Sequence, residues 1–243
     1  MTRLLVLQPD RDDPPARLGE WLTAAGAVLD VLDPAERPVP DTLDGYRGVV
    51  CLGGAMGALD DAEHPWLADV RRLLSHAVSK RVPVLAICLG AQLLAVATGG
   101  QVRRAERPEI GVRLVAKRDV AGQDPLFADL PWTPDVLQFH LDEVSSLPPT
   151  ATLLASSPVC VNQAFRVGDN AYGVQFHIET APEDVLKWAE GHPGGLTALP
   201  QLADRERLTA AHEDIREVWQ PFAERFVRLA GGELTIQRNL PLV

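Results

Sequence analysis

A cysteine at the junction of a strand and a helix is the first candidate for chemistry in this sequence. An apolar run that ends at Ile87 predicts a buried strand, and a second run that starts at Leu89 predicts a helix, with Cys88 between them. A thiol on so sharp a turn points out of the carboxyl edge of a sheet, and the small residues Ala86 and Gly90 let the turn close. The helix N-terminus stabilises a thiolate, and the amide of Leu89 can face a developing oxyanion. The alternative is a buried structural cysteine, the usual state of a free thiol.

A histidine and a glutamate two residues apart form the second candidate. His177 and Glu179 follow the predicted strand Ala171–Phe176. In an extended chain, residues i and i+2 point the same way, so Glu179 can hold one imidazole nitrogen while the other faces Cys88. This is the arrangement of base and orienting group in a thiol triad. A histidine with a purely structural role is the alternative.

A glycine loop is the third candidate. Gly53-Gly54-Ala55-Met56-Gly57 follows the predicted buried strand Gly48–Leu52 directly. Glycines let backbone amides approach a substrate closely, although a plain turn has the same composition. The sequence contains neither G-x-G-x-x-G nor G-x-x-x-x-G-K-S/T, so it indicates no dinucleotide fingerprint and no P-loop.

These segments, in this order, resemble the class I (triad-type) glutamine amidotransferases. The nucleophile motif of that family, G-x-C-x-G-x-Q, is matched by residues 86–92 except for Ala86 at the first Gly. Its H-P-E motif is matched by His177 and Glu179, with Ile178 in the Pro place. Its oxyanion loop begins with Gly-Gly after a strand, as residues 53–54 do here.

Two further segments extend the resemblance to about residues 3–190. Residues 60–67, DDAEHPWL, resemble the same segment in stand-alone members of the family that are related to the glutaminase domain of GMP synthase. Phe139-His140-Leu141-Asp142 resembles the family's x-H-G-D turn, which holds the amino-acid end of the substrate. Leu141 stands where that turn has Gly, and its side chain indicates a reshaped pocket.

The resemblance implies a two-step thiol mechanism without a cofactor or a metal. Cys88 attacks the γ-amide carbon of glutamine, and the oxyanion lies between the amides of Gly54 and Leu89. His177 gives a proton to the leaving ammonia and then activates water against the thioester, while Glu179 orients His177. By residue-for-residue match, the residues expected in the substrate pocket are Gly53, Gln92, His140 and Asp142.

Alternating strand and helix patterns must position these groups. Strands are predicted at Arg3–Gln8, Ala27–Leu32, Gly48–Leu52 and Val82–Ile87, and helices at Pro14–Gly26, Pro65–Arg81 and Leu89–Thr98. This order predicts a parallel sheet with helices on both faces. After residue 100, strands are predicted at Ile110–Ala116, Val136–Leu141, Ala151–Ala155, Val159–Val167 and Ala171–Phe176, followed by a helix at Pro182–Gly191. The resemblance implies that the sheet is open, mostly parallel and flavodoxin-like.

The C-terminal region is predicted to be a helical extension. We expect an amidotransferase-like domain over residues 1–191, and a linker and helical extension packing on it over residues 192–243, with His192–Leu202 as the linker. Apolar residues then recur at helical spacing from Leu208 to Leu229, which predicts a helix pair kinked or restarted near Pro221. Its apolar stripe is expected to cover the chain's own core. The alternative is the face of a homodimer or of another partner.

Composition excludes several classes of function. Lys plus Arg is 23 and Asp plus Glu is 33, giving a net charge of −10 that disfavours nucleic acid. Three scattered cysteines do not make a disulfide framework, and the first apolar run is too short for a signal peptide, so a cytoplasmic protein is expected. The charge-free stretch between Arg81 and Arg103 is long enough for a membrane span, but its Pro and Gly residues favour a buried strand, turn and helix.

Three functions remain on these grounds. The first is a glutaminase that delivers ammonia to a separate synthetase or acceptor subunit, because the sequence shows no ATP-binding synthetase pattern. The second is a hydrolase of γ-glutamyl amides or peptides, and the third is a non-catalytic partner protein on the same fold. The DJ-1/PfpI group also has an elbow cysteine on a related fold, but its members typically lack His-x-Glu at the final strand.

Overall fold

The protein is built on an eight-stranded sheet. Its computed structural model describes residues 1–193 and 195–234. The strands of the sheet, in chain order, are β1 (Thr2–Leu7), β2 (Ala27–Leu32), β3 (Gly48–Cys51), β4 (Val84–Ile87), β6 (Ala116–Lys117), β8 (Ala151–Ser156), β9 (Ala164–Val167) and β10 (Ala171–Val174). The order across the sheet is β2-β1-β3-β4-β10-β9-β8-β6. The first five of these are mutually parallel, and the remaining three pair in antiparallel fashion. The expectation of a mostly parallel, flavodoxin-like sheet is confirmed.

The helices lie on both faces of this sheet, as expected. They are α1 (Ala16–Ala24), α2 (Trp66–Ser79), α3 (Leu89–Ala97), α4 (Pro182–Gly191), α5 (Gly195–Ala198), α6 (Pro200–Ala203) and α7 (Arg205–Gly231). Alternate residues of β1 enter two separate cores, with Leu4 and Val6 in one and Leu5 and Leu7 in the other. The first core also holds buried residues of α1, α4 and α7, and the second holds those of α2 and α3. Side-chain alternation along each strand therefore builds the three-layer arrangement.

A separate antiparallel ribbon carries part of the site. It consists of β5 (Gln101–Leu114) and β7 (Asp135–Ser146), both much longer than the strands predicted at these places. The register shifts between Arg104 and Glu109, which bends the ribbon. An isolated bridge from Leu137 to His177 ties β7 to the end of β10. The ribbon thereby reaches the carboxyl edge of the parallel strands.

The predicted strand Val159–Val167 forms only over its second half, as β9. Residues 157–160 instead make a turn in which the Ser157 amide donates to the Cys160 carbonyl oxygen at 2.8 Å. The Ser157 hydroxyl also accepts from the Cys160 amide at 2.9 Å. These local hydrogen bonds compete with those of the sheet ladder, so the strand starts later than its apolar residues predict.

The prediction of a helix pair that restarts near Pro221 is wrong, because α7 is one continuous helix of 27 residues that contains Pro221. A proline inside a helix costs about 3 kcal/mol. The fully buried side chains of Trp219, Phe222 and Phe226 each contribute roughly 1.5–3 kcal/mol, and together they exceed that cost. Asp204 caps the start of the helix by accepting from the Arg207 amide at 3.0 Å.

The residues predicted to be a linker contain the short helices α5 and α6. The division of the chain at residue 191 stays a prediction, and residues 235–243 of the predicted extension lie outside the described residues. The charge-free stretch forms β4 and α3, with the first strand of the ribbon beginning at its end. Across residues 1–193 and 195–234, no helix has the length and apolar character needed to cross a membrane.

Candidate active site

The turn between β4 and α3 presents Cys88 in a strained backbone conformation. Cys88 has φ 50° and ψ −108° and precedes the first residue of α3. Such a conformation costs a non-glycine residue about 1–3 kcal/mol. The Cys88 amide donates to the Val174 carbonyl oxygen at 2.8 Å, which anchors the turn to the end of β10. A Cβ on Gly90 would lie 2.2 Å from the Cys51 carbonyl oxygen, so only glycine lets α3 start this close to β3.

His177 and Glu179 meet Cys88 from the end of β10. The Nδ1–H group of His177 donates to Oε1 of Glu179, and the Ile178 amide donates to Oε2 of Glu179 at 2.9 Å. The His177 side chain also contacts the Cys88 thiol. Because Nδ1 is engaged with the carboxylate, Nε2 is the ring nitrogen left for the thiol. The structure thus brings together the three predicted triad residues.

Burial and charge work against each other in this pair. Burial by itself would lower the pKa of His177, but the adjacent Glu179 carboxylate and then Cys88 raise that pKa well above its ordinary value. Burial would likewise raise the pKa of Glu179, but the charge of His177 and hydrogen bonds lower it. The geometry therefore favours an imidazolium held between a carboxylate and a thiol.

The glycine loop packs against the nucleophile. A Cβ on Gly53 would lie 3.4 Å from the Cys88 Cβ, and one on Gly54 would lie 3.1 Å from Leu89 Cδ2. The Ala55 amide donates to Oδ2 of Asp10 at 3.1 Å, which fixes the loop from the β1 side. Within the described residues, the amides of Gly54 and Leu89 have no protein acceptor. Two free N–H groups beside a nucleophile are what an oxyanion hole requires.

The residues predicted to bind substrate lie at the same place but bond mainly to one another. Gln92 Nε2 donates to the Asp142 carbonyl oxygen at 3.1 Å, and His140 Nδ1 donates to that oxygen at 2.9 Å. The Asp142 carboxylate accepts from Arg104 at 3.2 Å. Gln92 and His140 therefore hold the turn that carries Asp142, and their roles toward a substrate stay predictions.

A chain of buried polar side chains leads from the nucleophile to that turn. Gln175 Nε2 lies 3.7 Å from Cys88 Sγ, and Gln175 Oε1 accepts from Gln92 at 3.4 Å. At the far end, His140 Nε2 lies 3.3 Å from Oε2 of Glu109. This is a close approach and not a hydrogen bond, since His140 Nε2 has no hydrogen-bond partner within the described residues.

Three residues near the triad were missed by the sequence reasoning. Gln175 carried a signal, because it is a polar residue at the end of an otherwise apolar strand. Asp13 follows β1. Because the carboxyl ends of parallel strands share one edge of the sheet, this position predicts that Asp13 lies near the triad. Glu109 carried no signal, because its position depends on the bend in β5.

A buried acidic side chain outside the triad, Asp13, lies beside His177 and Glu179. It is buried, and one of its oxygens, one of Glu179 and one ring nitrogen of His177 lie within 4.8 Å of one another. This donor set is the one in the described residues that could enclose a cation, at the cost of the His177–Glu179 hydrogen bond.

A cavity of about 390 Å³ opens above Cys88 and His177. Its walls include the apolar side chains of Met56, Phe139, Leu141, Trp188 and Pro193. Charged groups, Asp10, Arg104, Asp142 and Lys187, also line it. The cavity is large enough for an amino-acid-sized substrate, and Cys88 and His177 line it.

Comparisons with known proteins agree on one family. The family model "Glutamine amidotransferase class-I" matches residues 24–185. Gamma-glutamyl peptidase 3 of Arabidopsis thaliana is 32% identical over 200 residues, covering 79% of this chain and 78% of that protein. The glutamine-hydrolyzing GMP synthase subunit of Pyrococcus furiosus is 39% identical over 136 residues, covering 56% of this chain and 67% of that protein.

Solved structures give the same result at the level of the fold. A glutamine amidotransferase from Thermotoga maritima superposes with a TM-score of 0.82 at 28% identity, covering 94% of this chain and 97% of that one. A glutamine amidotransferase from Methylobacillus flagellatus gives a TM-score of 0.81 at 27% identity, covering 98% and 97%. With the motif order, the geometry and the match over residues 24–185, the chain belongs to the class I glutamine amidotransferase family.

Proposed function

We propose that this protein hydrolyses the γ-amide of glutamine through a thioester on Cys88. The observation that carries the proposal is the contact of Cys88 with His177, which is bonded to Glu179, beneath a cavity of about 390 Å³. A base, an orienting carboxylate and a nucleophile in this relation form a thiol triad. The enzymatic relatives of the chain support the same function.

The first step forms the acyl-enzyme. Sγ of Cys88 attacks the γ-carbonyl carbon, and the C–O double bond becomes an oxyanion that accepts from the amides of Gly54 and Leu89. His177 Nε2–H then gives its proton to the leaving nitrogen as the C–N bond breaks. Ammonia departs, and a γ-glutamyl thioester remains on Cys88.

The second step uses the same groups in reverse. Neutral His177 takes a proton from water, and the hydroxide attacks the thioester carbon in the same oxyanion site. The C–S bond breaks, the thiolate of Cys88 leaves with the imidazolium as its partner, and glutamate is released. Glu179 keeps the tautomer and orientation of His177 in both steps.

Delivery of the ammonia to a separate synthetase subunit is part of this proposal. The Pyrococcus furiosus relative is named as one subunit of GMP synthase, which supports a partner of that kind. A protein of this type is expected to be a weak glutaminase in isolation, because ammonia released without an acceptor is lost.

Hydrolysis of γ-glutamyl peptides or other larger γ-glutamyl amides is the second candidate. It is favoured by the apolar walls of the cavity, where Leu141, Phe139 and Trp188 offer surface to a leaving group larger than ammonia. The Arabidopsis thaliana relative, named as a gamma-glutamyl peptidase, aligns over 79% of this chain and supports it.

Substrate panels with a trapped intermediate test both candidates. The purified protein is incubated with glutamine and with γ-glutamyl amides of increasing leaving-group size, and ammonia, amine and glutamate are measured. Quenched samples are examined by mass spectrometry for a glutamyl adduct on Cys88. Cys88→Ser is the inactive control, and Cys160→Ala is the matched control for loss of a cysteine elsewhere.

Each outcome decides between the candidates. A Cys88 adduct from glutamine with slow turnover supports the amidotransferase. A kcat/KM for one larger amide that exceeds the value for glutamine by a hundredfold supports the hydrolase, since that ratio is about 2.7 kcal/mol of leaving-group binding. Failure to find either turnover or an adduct with any substrate would overturn both and leave a non-catalytic protein.

A further inference from the structure

We propose that Asp13 is a positioning residue of the active centre, a buried carboxylic acid that keeps its proton and donates it in a hydrogen bond to Glu179. Asp13 lies in the loop between β1 and α1 and belongs to neither the triad nor the oxyanion loop. For its turnover readout the inference rests on the proposed thioester mechanism.

The position of Asp13 is set by close packing on three sides. Only 3% of Asp13 is exposed. A Cβ on Gly53 would lie 2.2 Å from Oδ2 of Asp13 and 3.2 Å from Cε1 of His177, so this glycine leaves room for the carboxyl beside the imidazole. One carboxyl oxygen of Asp13, one of Glu179 and one ring nitrogen of His177 lie within 4.8 Å of one another.

The surroundings of Asp13 indicate that its carboxyl group carries a proton. Within the described residues, no N–H or O–H group donates to either carboxyl oxygen of Asp13. The polar group that it faces is the Glu179 carboxyl, one oxygen of which lies within 4.8 Å of an Asp13 oxygen. Two carboxyl groups can bond only when one of them carries a proton.

The proton belongs on Asp13 and not on Glu179, because Glu179 already accepts two hydrogen bonds. These come from the His177 ring and from the Ile178 amide, and both stabilise an ionised Glu179. Asp13 has no such donor, so ionising it would leave a buried, unpaired charge.

The surroundings of Asp13 are mostly acidic. Asp10 faces it from its own loop, Cys51 from β3, and His177 and Glu179 from the end of β10. Burial first, and then the charge of Glu179, raise the pKa of Asp13 well above its ordinary value, against the opposing effect of His177. The electrostatics thus agree with the hydrogen bonding in placing a proton on Asp13.

A neutral Asp13 has a specific effect on the proton transfers of His177. A second carboxylate beside the imidazolium would hold its proton more tightly and hinder donation to the leaving nitrogen. A protonated Asp13 instead satisfies Glu179 without adding charge. It thereby restrains Glu179 as the orienting group and keeps its basicity low.

The test compares Asp13→Asn with Asp13→Ala. Asn keeps the size and the hydrogen-bond donor of a protonated acid, whereas Ala removes the donor. Asp44→Asn, which removes one exposed carboxylate remote from the site, is the control for net charge. Two readouts are measured across pH: the rate of Cys88 alkylation by iodoacetamide, which needs no substrate, and kcat and KM for the best substrate of the panel.

For a protonated Asp13, the Asn variant keeps the wild-type pH midpoint of Cys88 alkylation and its kcat. The Ala variant then loses kcat by about tenfold or more, the size of a lost hydrogen bond to a charged group, with KM unchanged. A midpoint that moves by about one pH unit or more in the Asn variant would show that Asp13 is ionised and would overturn the proposal. Wild-type behaviour of the Ala variant would overturn it too.

Two further results keep the test decisive. The Asn variant alone reports the charge of Asp13, so the test does not depend on the Ala variant folding. If no substrate is turned over, the proposed function fails, but the alkylation midpoints still decide the state of Asp13. A midpoint that changes on adding EDTA would show a cation between Asp13, His177 and Glu179 in place of the proton, and would overturn the proposal.

Discussion

Brief treatment with iodoacetamide at pH 7 is expected to alkylate Cys88 and to leave Cys51 and Cys160 unmodified. Burial raises the pKa of the Cys51 and Cys160 thiols to about 12, so at pH 7 roughly one molecule in 100,000 carries either thiolate. An ordinary thiol, with a pKa of about 8.5, is ionised in roughly 3% of molecules at that pH. Compared with such an ordinary thiol, Cys51 and Cys160 should therefore react about 3,000 times more slowly, and the label should concentrate on Cys88, which lies beside the proton acceptor His177.

Peptide mapping by mass spectrometry after increasing exposure times measures this ratio. Cys88→Ala should abolish the fast adduct, and His177→Ala should slow it, because the imidazole that takes the thiol proton is gone. A slow reaction at Cys88 together with a fast one at either other cysteine would refute the reasoning. That result would mean that the strained turn holds a structural thiol and that burial does not control reactivity in this protein.

Three other sets of substitutions, in the triad, at Gly90 and at Asp13, have expected outcomes. Cys88→Ala should lower turnover by about a thousandfold or more, His177→Ala nearly as much and Glu179→Gln less, as steady-state kinetics on the best substrate would show; a larger loss in the Gln variant than in His177→Ala would mean misassigned roles. Gly90→Ala should destabilise the protein by about 3 kcal/mol or more in urea unfolding, because its Cβ would meet β3 backbone at 2.2 Å, and an unchanged midpoint would contradict this. The raised pKa of Asp13 makes its contribution to stability present below the ordinary value of 3.8 and lost as pH rises. Asp13→Asn should therefore unfold at higher urea than wild type at pH 8, with a gain that shrinks toward pH 4; an equal gain at both would exclude the linkage.

The parts of the site that depend on local sequence could be predicted. The turn at Cys88 follows from a strand, a small residue and a helix in direct succession, and the pairing of His177 with Glu179 follows from extended geometry. Both rules concern residues within a few positions of each other. The parallel sheet followed in the same way from the alternation of apolar strands and amphipathic helices.

Contacts between distant segments could not be predicted from the same patterns. Glu109 approaches His140 because β5 is long and bent, and the length of an edge ribbon is decided by pairing rather than by periodicity. Asp13 approaches Glu179 across 166 positions of the chain, which no local spacing rule covers. The helix α7 also continues through Pro221, because burial of its neighbours in the tertiary structure outweighs the tendency of proline to end a helix.

The packing of α7 has a consequence for how the protein is made. The helix ends at Gly231, yet it fills the core face to which β1 and α1, the earliest elements of the chain, contribute. It also lies beyond residue 185, where the family match ends. During synthesis, the apolar face of β1 therefore stays uncovered until Arg205–Gly231 has left the ribosome. Folding of the N-terminal half has to wait for the C-terminal helix, and a chain that stops before Arg205 would emerge with that face open to chaperones and proteases.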